Sequence, residues 1–127
     1  MRRVLVVAVL LALAWNLGAC GSGDSTSGTS GVSASKTLVS LTDAEKGQMC
    51  DWYMPKFGGY GTRSGCSSRL FSYPDRAACV ADAPSATTTQ SCQATVGQME
   101  ACINTLPKCP TLPDVGNSAQ CAALTAC

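Results

Sequence analysis

Residues 95–106 read TVGQMEACINTL, and this stretch carries the clearest helix signal in the chain. Thr95 and Gln98 have the spacing of a capping box, in which the two residues exchange side-chain-to-backbone hydrogen bonds at the start of a helix. The apolar residues recur at steps of three and four, which predicts one apolar helix face. They are Val96, Met99, Ile103 and Leu106. Cys102 lies beside this face, and Pro107 is expected to end the helix.

The residues on either side predict further short helices. Thr42 and Glu45 form a second capping box, so a helix is expected from Asp43 to about Phe57, stopped by residues 58–61, GGYG. A short helix is expected over Pro74–Ala81, and a last one after Asn117. Residues 60–72 hold two strand candidates around a turn. The predicted fold class is therefore a small, disulfide-rich, mainly α domain of short helices with a candidate β-hairpin.

The cysteines indicate how such a small domain is held together. Residues 36–127 contain eight of the nine cysteines of the chain, namely Cys50, Cys66, Cys79, Cys92, Cys102, Cys109, Cys121 and Cys127. An exported domain of this size and cysteine content is typical of a disulfide scaffold. Zinc is the rival explanation, but the chain has no histidine and no CxxC pair, so no metal site is expected.

The pairing of these cysteines does not follow from their spacing, because eight cysteines allow 105 connectivities. We favour Cys50–Cys102, since both residues lie near apolar helix faces that should pack together. Local loops suggest Cys79–Cys92 and Cys109–Cys121, which leaves Cys66–Cys127.

Aromatic residues are concentrated between residues 52 and 60. Core packing is the more common role of such a cluster in a small domain. The functional alternative is a partly exposed binding patch, since Tyr, Trp and Arg are favoured in binding hot spots. The candidate patch comprises Trp52, Tyr53, Tyr60 and Arg63.

Groups for catalysis are sparse. Without histidine there is no Ser-His or Cys-His nucleophile, and Asp51 is better interpreted as a surface acid than as a catalytic one. No cofactor motif is present. Once Arg2 and Arg3 are set aside as part of an export signal, the formal net charge falls from +1 to −1, which gives no basic footprint for nucleic acid. The sequence therefore predicts a protein without catalytic or cofactor residues and without a nucleic-acid partner.

The segment before the domain is dominated by small residues. Of the fifteen residues 21–35, twelve are Gly, Ser or Thr. Such a stretch has too little apolar surface to fold by itself. We expect residues 20–35 to be a flexible tether with a span of roughly 20 Å.

Residues 1–19 have the layout of a secretory signal peptide. Arg2 and Arg3 precede the apolar run Val4–Trp15, and small residues follow. The run is too short for a stable membrane span, which needs about 20 residues. The alternative is a buried N-terminal helix of the domain, which the order of charge, apolar run and small residues disfavours.

Residues 17–20, LGAC, resemble the lipobox of bacterial lipoproteins. The resemblance implies that Cys20 is diacylated on its sulfur and becomes the first residue of the mature chain. Two or three acyl chains give stable anchoring where one would be marginal. The alternative is an ordinary cut after Ala19 with Cys20 in a disulfide, but removing Cys20 leaves an even number of cysteines for pairing. Gly21, where inner-membrane lipoproteins carry aspartate, favours the outer membrane.

The pattern from Leu41 onward also resembles cysteine-rich lipoproteins of the myxobacterial type. It comprises LTDAEKGQMCDWY, GGYG, DRAACVAD, TVGQMEAC and a cysteine-rich tail. This resemblance brings no activity or functional residues with it. The function expected from the sequence is a non-enzymatic binding or structural module of the cell envelope, on its periplasmic or surface face, with a protein or an envelope polymer as partner. The alternative is a small envelope hydrolase or redox factor.

Overall fold

Four short α-helices form the frame of the domain in the computed structural model, which describes residues 28–61, 66, 68–85, 91–125 and 127. They are α1 (Asp43–Tyr53), α2 (Arg76–Asp82), α3 (Val96–Thr105) and α4 (Leu112–Gly116). Three 3₁₀ helices accompany them, at Leu38–Ser40, Met54–Phe57 and Ala119–Leu124. None of the helices in the described part of the chain is long and apolar enough to cross a bilayer.

The helix starts follow the capping residues of the sequence. Both predicted capping boxes are present, with Thr42 accepting from the Glu45 N–H and Thr95 accepting from the Gln98 N–H. Helix α1 continues into the 3₁₀ helix that ends at Phe57, where Gly58 takes a left-handed conformation with φ of 101°. The helix predicted over Pro74–Ala81 is present as α2 but begins two residues later, at Arg76. It begins there because the Asp75 side chain caps it by accepting from the Ala78 N–H.

Two local predictions need correction. The candidate β-hairpin over residues 60–72 is wrong for the described residues there, which contain no strand. Residues 62–65 and 67 lie outside the described residues. Helix α4 was not predicted, although Thr111 and Asp114 form a third capping box and therefore carry the same local signal as the other two.

The eight cysteines form four disulfides, as the scaffold prediction requires, but the favoured pairing is wrong. The bridges are Cys50–Cys79, Cys66–Cys109, Cys92–Cys127 and Cys102–Cys121. Helix α1 packs on α2, and α3 packs on the 3₁₀ helix Ala119–Leu124. Cys50 therefore faces α2, and Cys102 faces the C-terminal 3₁₀ helix. The two longest helices, α1 and α3, are not joined by a disulfide, contrary to the prediction.

Residues 28–37 form a strap that lies antiparallel along α3, so the predicted tether does not extend to residue 35. The Asn104 side chain donates to the Gly28 carbonyl at 2.7 Å. At the other end of α3, the Gly97 and Val96 N–H groups donate to the Ala34 and Lys36 carbonyls, both at 2.9 Å. The strap thus satisfies backbone donors that a helix start leaves free. Residues 21–27 lie outside the described residues.

Glu100 holds the middle of the strap. One carboxylate oxygen accepts from the Ser30 N–H at 2.5 Å and from the Ser30 hydroxyl at 2.7 Å. Both residues are buried, at 8% exposure for Ser30 and 5% for Glu100, and Val32 is buried beside them. Polar hydrogen bonds to α3 therefore give order to a segment whose composition is typical of a linker.

The strap should depend on the Glu100 carboxylate. Replacing Glu100 with Ala removes the acceptor and leaves buried donors of Ser30 unpaired, so we expect a loss of about 1–3 kcal/mol in the free energy of unfolding. Hydrogen exchange of residues 28–35, followed by mass spectrometry, should become faster. Gln93→Ala is the control, because this side chain is exposed. Unchanged exchange in the Glu100 variant would contradict the role given to the carboxylate.

Candidate ligand-binding cavity

Tyr53 and Phe57 lie at the centre of an aromatic cluster that faces inward from α1 and the following 3₁₀ helix. Tyr53 is 5% exposed and Phe57 is 1% exposed. The Phe57 ring stacks on Phe71 with a centroid distance of 4.8 Å, and Tyr53 meets Phe71 edge-on at 5.9 Å. Core packing therefore accounts for Tyr53, and its burial excludes it from an exposed binding patch.

The Tyr53 hydroxyl contacts the Cys50–Cys79 bridge. Its oxygen lies 2.7 Å from the Cys79 sulfur and 3.8 Å from the Cys50 sulfur. Burial raises the pKa of Tyr53 far above its usual range, with the neighbouring Tyr73 adding to the shift. The hydroxyl therefore stays protonated and serves as a donor inside the core.

Phe71 has a left-handed backbone, with φ of 54°. A bulky residue in this region is a strained outlier, and such strain is concentrated at functional sites. The strain at Phe71 is offset by its ring contacts with Tyr53 and Phe57. The result is a half-buried aromatic ring fixed beside the cavity described below.

The other predicted patch residues have separate surroundings. Trp52 is half-buried, with the Lys56 ammonium 5.0 Å from its ring centroid. Tyr60 is half-buried and donates to Asp51 at 3.1 Å. Arg63 lies outside the described residues, so its place in the patch stays a prediction.

Asp51 links α1 to α2 and is a structural acid. Its two oxygens accept from the Arg76 Nε at 3.0 and 2.8 Å. The Arg76 guanidinium lies so close to the α1 backbone that a Cβ atom at position 47 would come within 2.1 Å of it, so a larger residue there would require the Arg76 side chain to move. The sequence-based interpretation of Asp51 as a surface acid agrees with its exposed position.

An apolar cavity of about 280 Å³ lies between α1, α3 and the C-terminal segment. Cysteines of three different bridges line it, namely Cys50, Cys102 and Cys127. The apolar side chains around it are those of Leu38, Leu41, Met49, Phe71, Ala83, Pro84, Met99, Val115 and Leu124, together with the ring of Tyr53. Small-molecule sites are typically mostly apolar concavities with a few polar groups, and this cavity has that character.

Besides Tyr53, three residues with polar side chains line the cavity, namely Lys46, Tyr73 and Asp82. The Tyr73 hydroxyl donates to Asp82 at 2.7 Å, and burial followed by this hydrogen bond raises the pKa of Tyr73. Lys46 is the third, with a side chain that is only 12% exposed. A ligand in the cavity would therefore meet a few polar side chains within mostly apolar walls.

A wider groove of about 590 Å³ runs between α1 and α2, but it is more open to solvent. Within the described ranges no group of three or more Cys, Asp or Glu residues could hold a metal ion. The apolar cavity, which is less open to solvent than the groove, is therefore the best candidate for a functional site. Sequence reasoning missed it, because its walls come from positions as distant as Leu38 and Leu124.

Comparisons with protein families, with curated proteins and with solved structures found no match for this chain.

The tyrosines provide a test of the local packing. All three tyrosines of the chain have raised pKa values, and that of Tyr60 is raised to about 12, first by burial and then by its hydrogen bond to Asp51. Because the folded protein keeps these tyrosine protons to higher pH than the unfolded chain, its free energy of unfolding should fall as pH rises above 10.0, with the contribution of Tyr60 spanning pH 10.0 to about 12. Tyrosinate absorbance should be absent at pH 10.0 in the folded protein and should first rise near pH 12.

Two variants test whether this first absorbance change comes from Tyr60. Tyr60→Phe should abolish it, and Asp51→Asn should move it to lower pH, because the negative acceptor of the hydroxyl proton is gone. Circular dichroism at each pH verifies that the protein is folded. A tyrosine that titrates normally near pH 10.0 in the folded protein would contradict the burial described for these rings.

Proposed function

We propose that this protein is a lipid-anchored, non-enzymatic binding module of the cell envelope that holds a small apolar or amphipathic ligand in its cavity. The observation that carries the binding role is the apolar cavity of about 280 Å³, lined in part by cysteines of three disulfides. The location rests on the signal-like residues 1–19 and on the lipobox-like residues 17–20. Disulfide-linked small domains are typical of oxidising compartments outside the cytoplasm, which supports export.

The envelope location also fits the ligand class. Amphipathic molecules partition into membranes, so a cavity attached to a bilayer by acyl chains at Cys20 would work where such ligands are concentrated. Gly21 favours the outer membrane as the site of attachment. An envelope protein or polymer could deliver the ligand, in the role of the predicted partner.

The anchor is tested by metabolic labelling. In a bacterial host with lipoprotein-processing enzymes, an alkyne analogue of palmitate should label the chain, and the mature product should begin at Cys20. Cys20→Ser should lose the label and the processing, whereas the control Ser22→Ala, two residues further on, should retain both. An unacylated product that begins at Cys20 would contradict the anchor.

The cavity is tested by photolabelling of the full chain in lipid nanodiscs with a neutral decyl alcohol that carries a diazirine. Crosslinks should map to wall residues such as Met99 and Phe71. Leu124→Trp should fill the cavity and reduce the labelling strongly, and Leu41→Trp should do the same from another wall. Leu112→Trp is the matched control, because Leu112 is 72% exposed.

Labelling that is unaffected by both filling variants would overturn the binding role. Circular dichroism in the near ultraviolet separates a filled cavity from an unfolded domain. The alternative of a redox factor requires a reactive thiol pair, which titration of the native protein with a thiol reagent would reveal.

A further inference from the structure

The strap begins at the C-terminal end of α3, and this fixes where the chain approaches the domain from Cys20. The Gly28 carbonyl accepts a hydrogen bond from the Asn104 side chain, in the last turn of the helix, at 2.7 Å. Cys20 lies only eight positions before Gly28. Because a fully extended chain spans at most about 3.6 Å per residue, acyl chains on Cys20 would lie within roughly 29 Å of this point.

Lys56 and Trp52 lie beside the same point. The Lys56 ammonium donates to the Asn104 side-chain oxygen, and it is 5.0 Å from the centroid of the Trp52 ring. Asn104 thus contacts Gly28 through its amide nitrogen and Lys56 through its amide oxygen. Gly28, Trp52, Lys56 and Asn104 therefore form one continuous patch, which we call the anchor-proximal face.

The anchor-proximal face has a positive charge. Asn104 and the Trp52 ring are both uncharged, and none of the ion pairs between described residues includes Lys56. The nearest acid in the sequence, Asp51, is compensated by the Arg76 guanidinium at 2.8 Å. A lysine close to a bilayer is attracted by anionic lipid headgroups, so the charge of this face suits such a surface.

The aromatic ring of the face suits a bilayer as well. Trp52 is half-buried, so part of its ring is accessible from outside the domain. Tryptophan is enriched at membrane–water interfaces, where its amphipathic ring lies at the level of the headgroups. A lysine stem can lie along apolar surface while its ammonium stays among polar groups. The Trp52–Lys56 pair therefore combines two side chains that are favoured in the headgroup region.

We infer that the anchor-proximal face rests on the bilayer, with the Trp52 ring among the headgroups and the Lys56 ammonium at anionic phosphates. This inference rests on the proposed lipid anchor at Cys20 and adds the orientation of the domain. The anchor keeps the face at a high effective concentration near the membrane, so a few contacts are enough to favour one orientation.

The fluorescence of Trp52 tests this contact directly. The chain has two tryptophans, and Trp15 belongs to the signal-like segment, so Trp52 is the only one in the proposed mature protein. The acylated mature protein is reconstituted into vesicles of phosphatidylcholine and phosphatidylglycerol, with or without lipids that are brominated near the headgroup. Bromine quenches tryptophan on contact, and we expect the brominated lipids to quench most of the Trp52 emission.

A matched control moves the fluorophore to the other end of α3. Gln93 is exposed and precedes the start of this helix, whose ten residues separate its two ends by about 15 Å. Gln93→Trp is combined with Trp52→Tyr, because tyrosine is also favoured at membrane interfaces. The brominated lipids should quench the emission from position 93 only slightly.

The charge is tested by Lys56→Gln on the same vesicles. The ratio of docked to undocked domain, calculated from the quenching, should fall about fivefold, which corresponds to roughly 1 kcal/mol for one lysine near an anionic surface. Gln93→Glu makes the same change in net charge at the far end of α3, and it should leave the ratio nearly unchanged. Circular dichroism in the near ultraviolet verifies that each variant is folded.

The outcomes separate this inference from the anchor. Trp52 emission that is insensitive to brominated lipid, in a chain that still floats with the vesicles, would overturn the inference and leave the anchor intact. A mature chain that does not float with the vesicles would overturn both. Equal quenching at positions 52 and 93, or an equal effect of Lys56→Gln and Gln93→Glu, would overturn the inference alone.

Discussion

Covalent bonds between cysteines are the constraint on which this structure depends. The helices contain between 5 and 11 residues, and isolated helices of that length are marginal in water. The buried side chains form two small clusters rather than one large core. At roughly 2–4 kcal/mol for each bridge, four disulfides together are comparable to the whole stability of a typical domain, about 5–15 kcal/mol. The disulfides therefore determine which segments lie side by side, and side-chain packing determines how closely they fit.

The strap shows a second way in which a small domain gains order. Its composition is that of a linker, yet its carbonyls accept the free N–H groups at the start of α3, and Ser30 is held by the buried Glu100. Lys36 extends the same arrangement to α1 through an ion pair with Glu45 at 2.6 Å. This pair and the capping hydrogen bonds of Thr42 lower the pKa of Glu45 to about 2. Polar contacts at three points thus replace the apolar surface that the segment lacks.

The parts of the fold that could be predicted from the sequence are local. A capping box needs two residues three positions apart, so the starts of α1 and α3 followed from the pairs Thr42–Glu45 and Thr95–Gln98. The bridge pairing and the burial of Ser30 depend on which helices meet, and partners such as Ser30 and Glu100 are 70 positions apart. No periodicity encodes such contacts. The aromatic residues illustrate the same limit, because only the fold decides that Tyr53 faces a disulfide while Trp52, the next residue along the chain, lies under Lys56.

The cavity follows from the same constraint as the stability. Close packing normally eliminates voids, because helices move toward one another until their side chains interdigitate. Here α1 is bonded to α2 through Cys50–Cys79, and α3 is bonded to the C-terminal 3₁₀ helix through Cys102–Cys121. The Cys92–Cys127 bridge ties the chain end to the residues before α3. One cysteine of each of these bridges lines the cavity, so collapse of the walls would have to move bonded segments together. A disulfide-stapled domain can therefore keep an apolar space open without a large core around it.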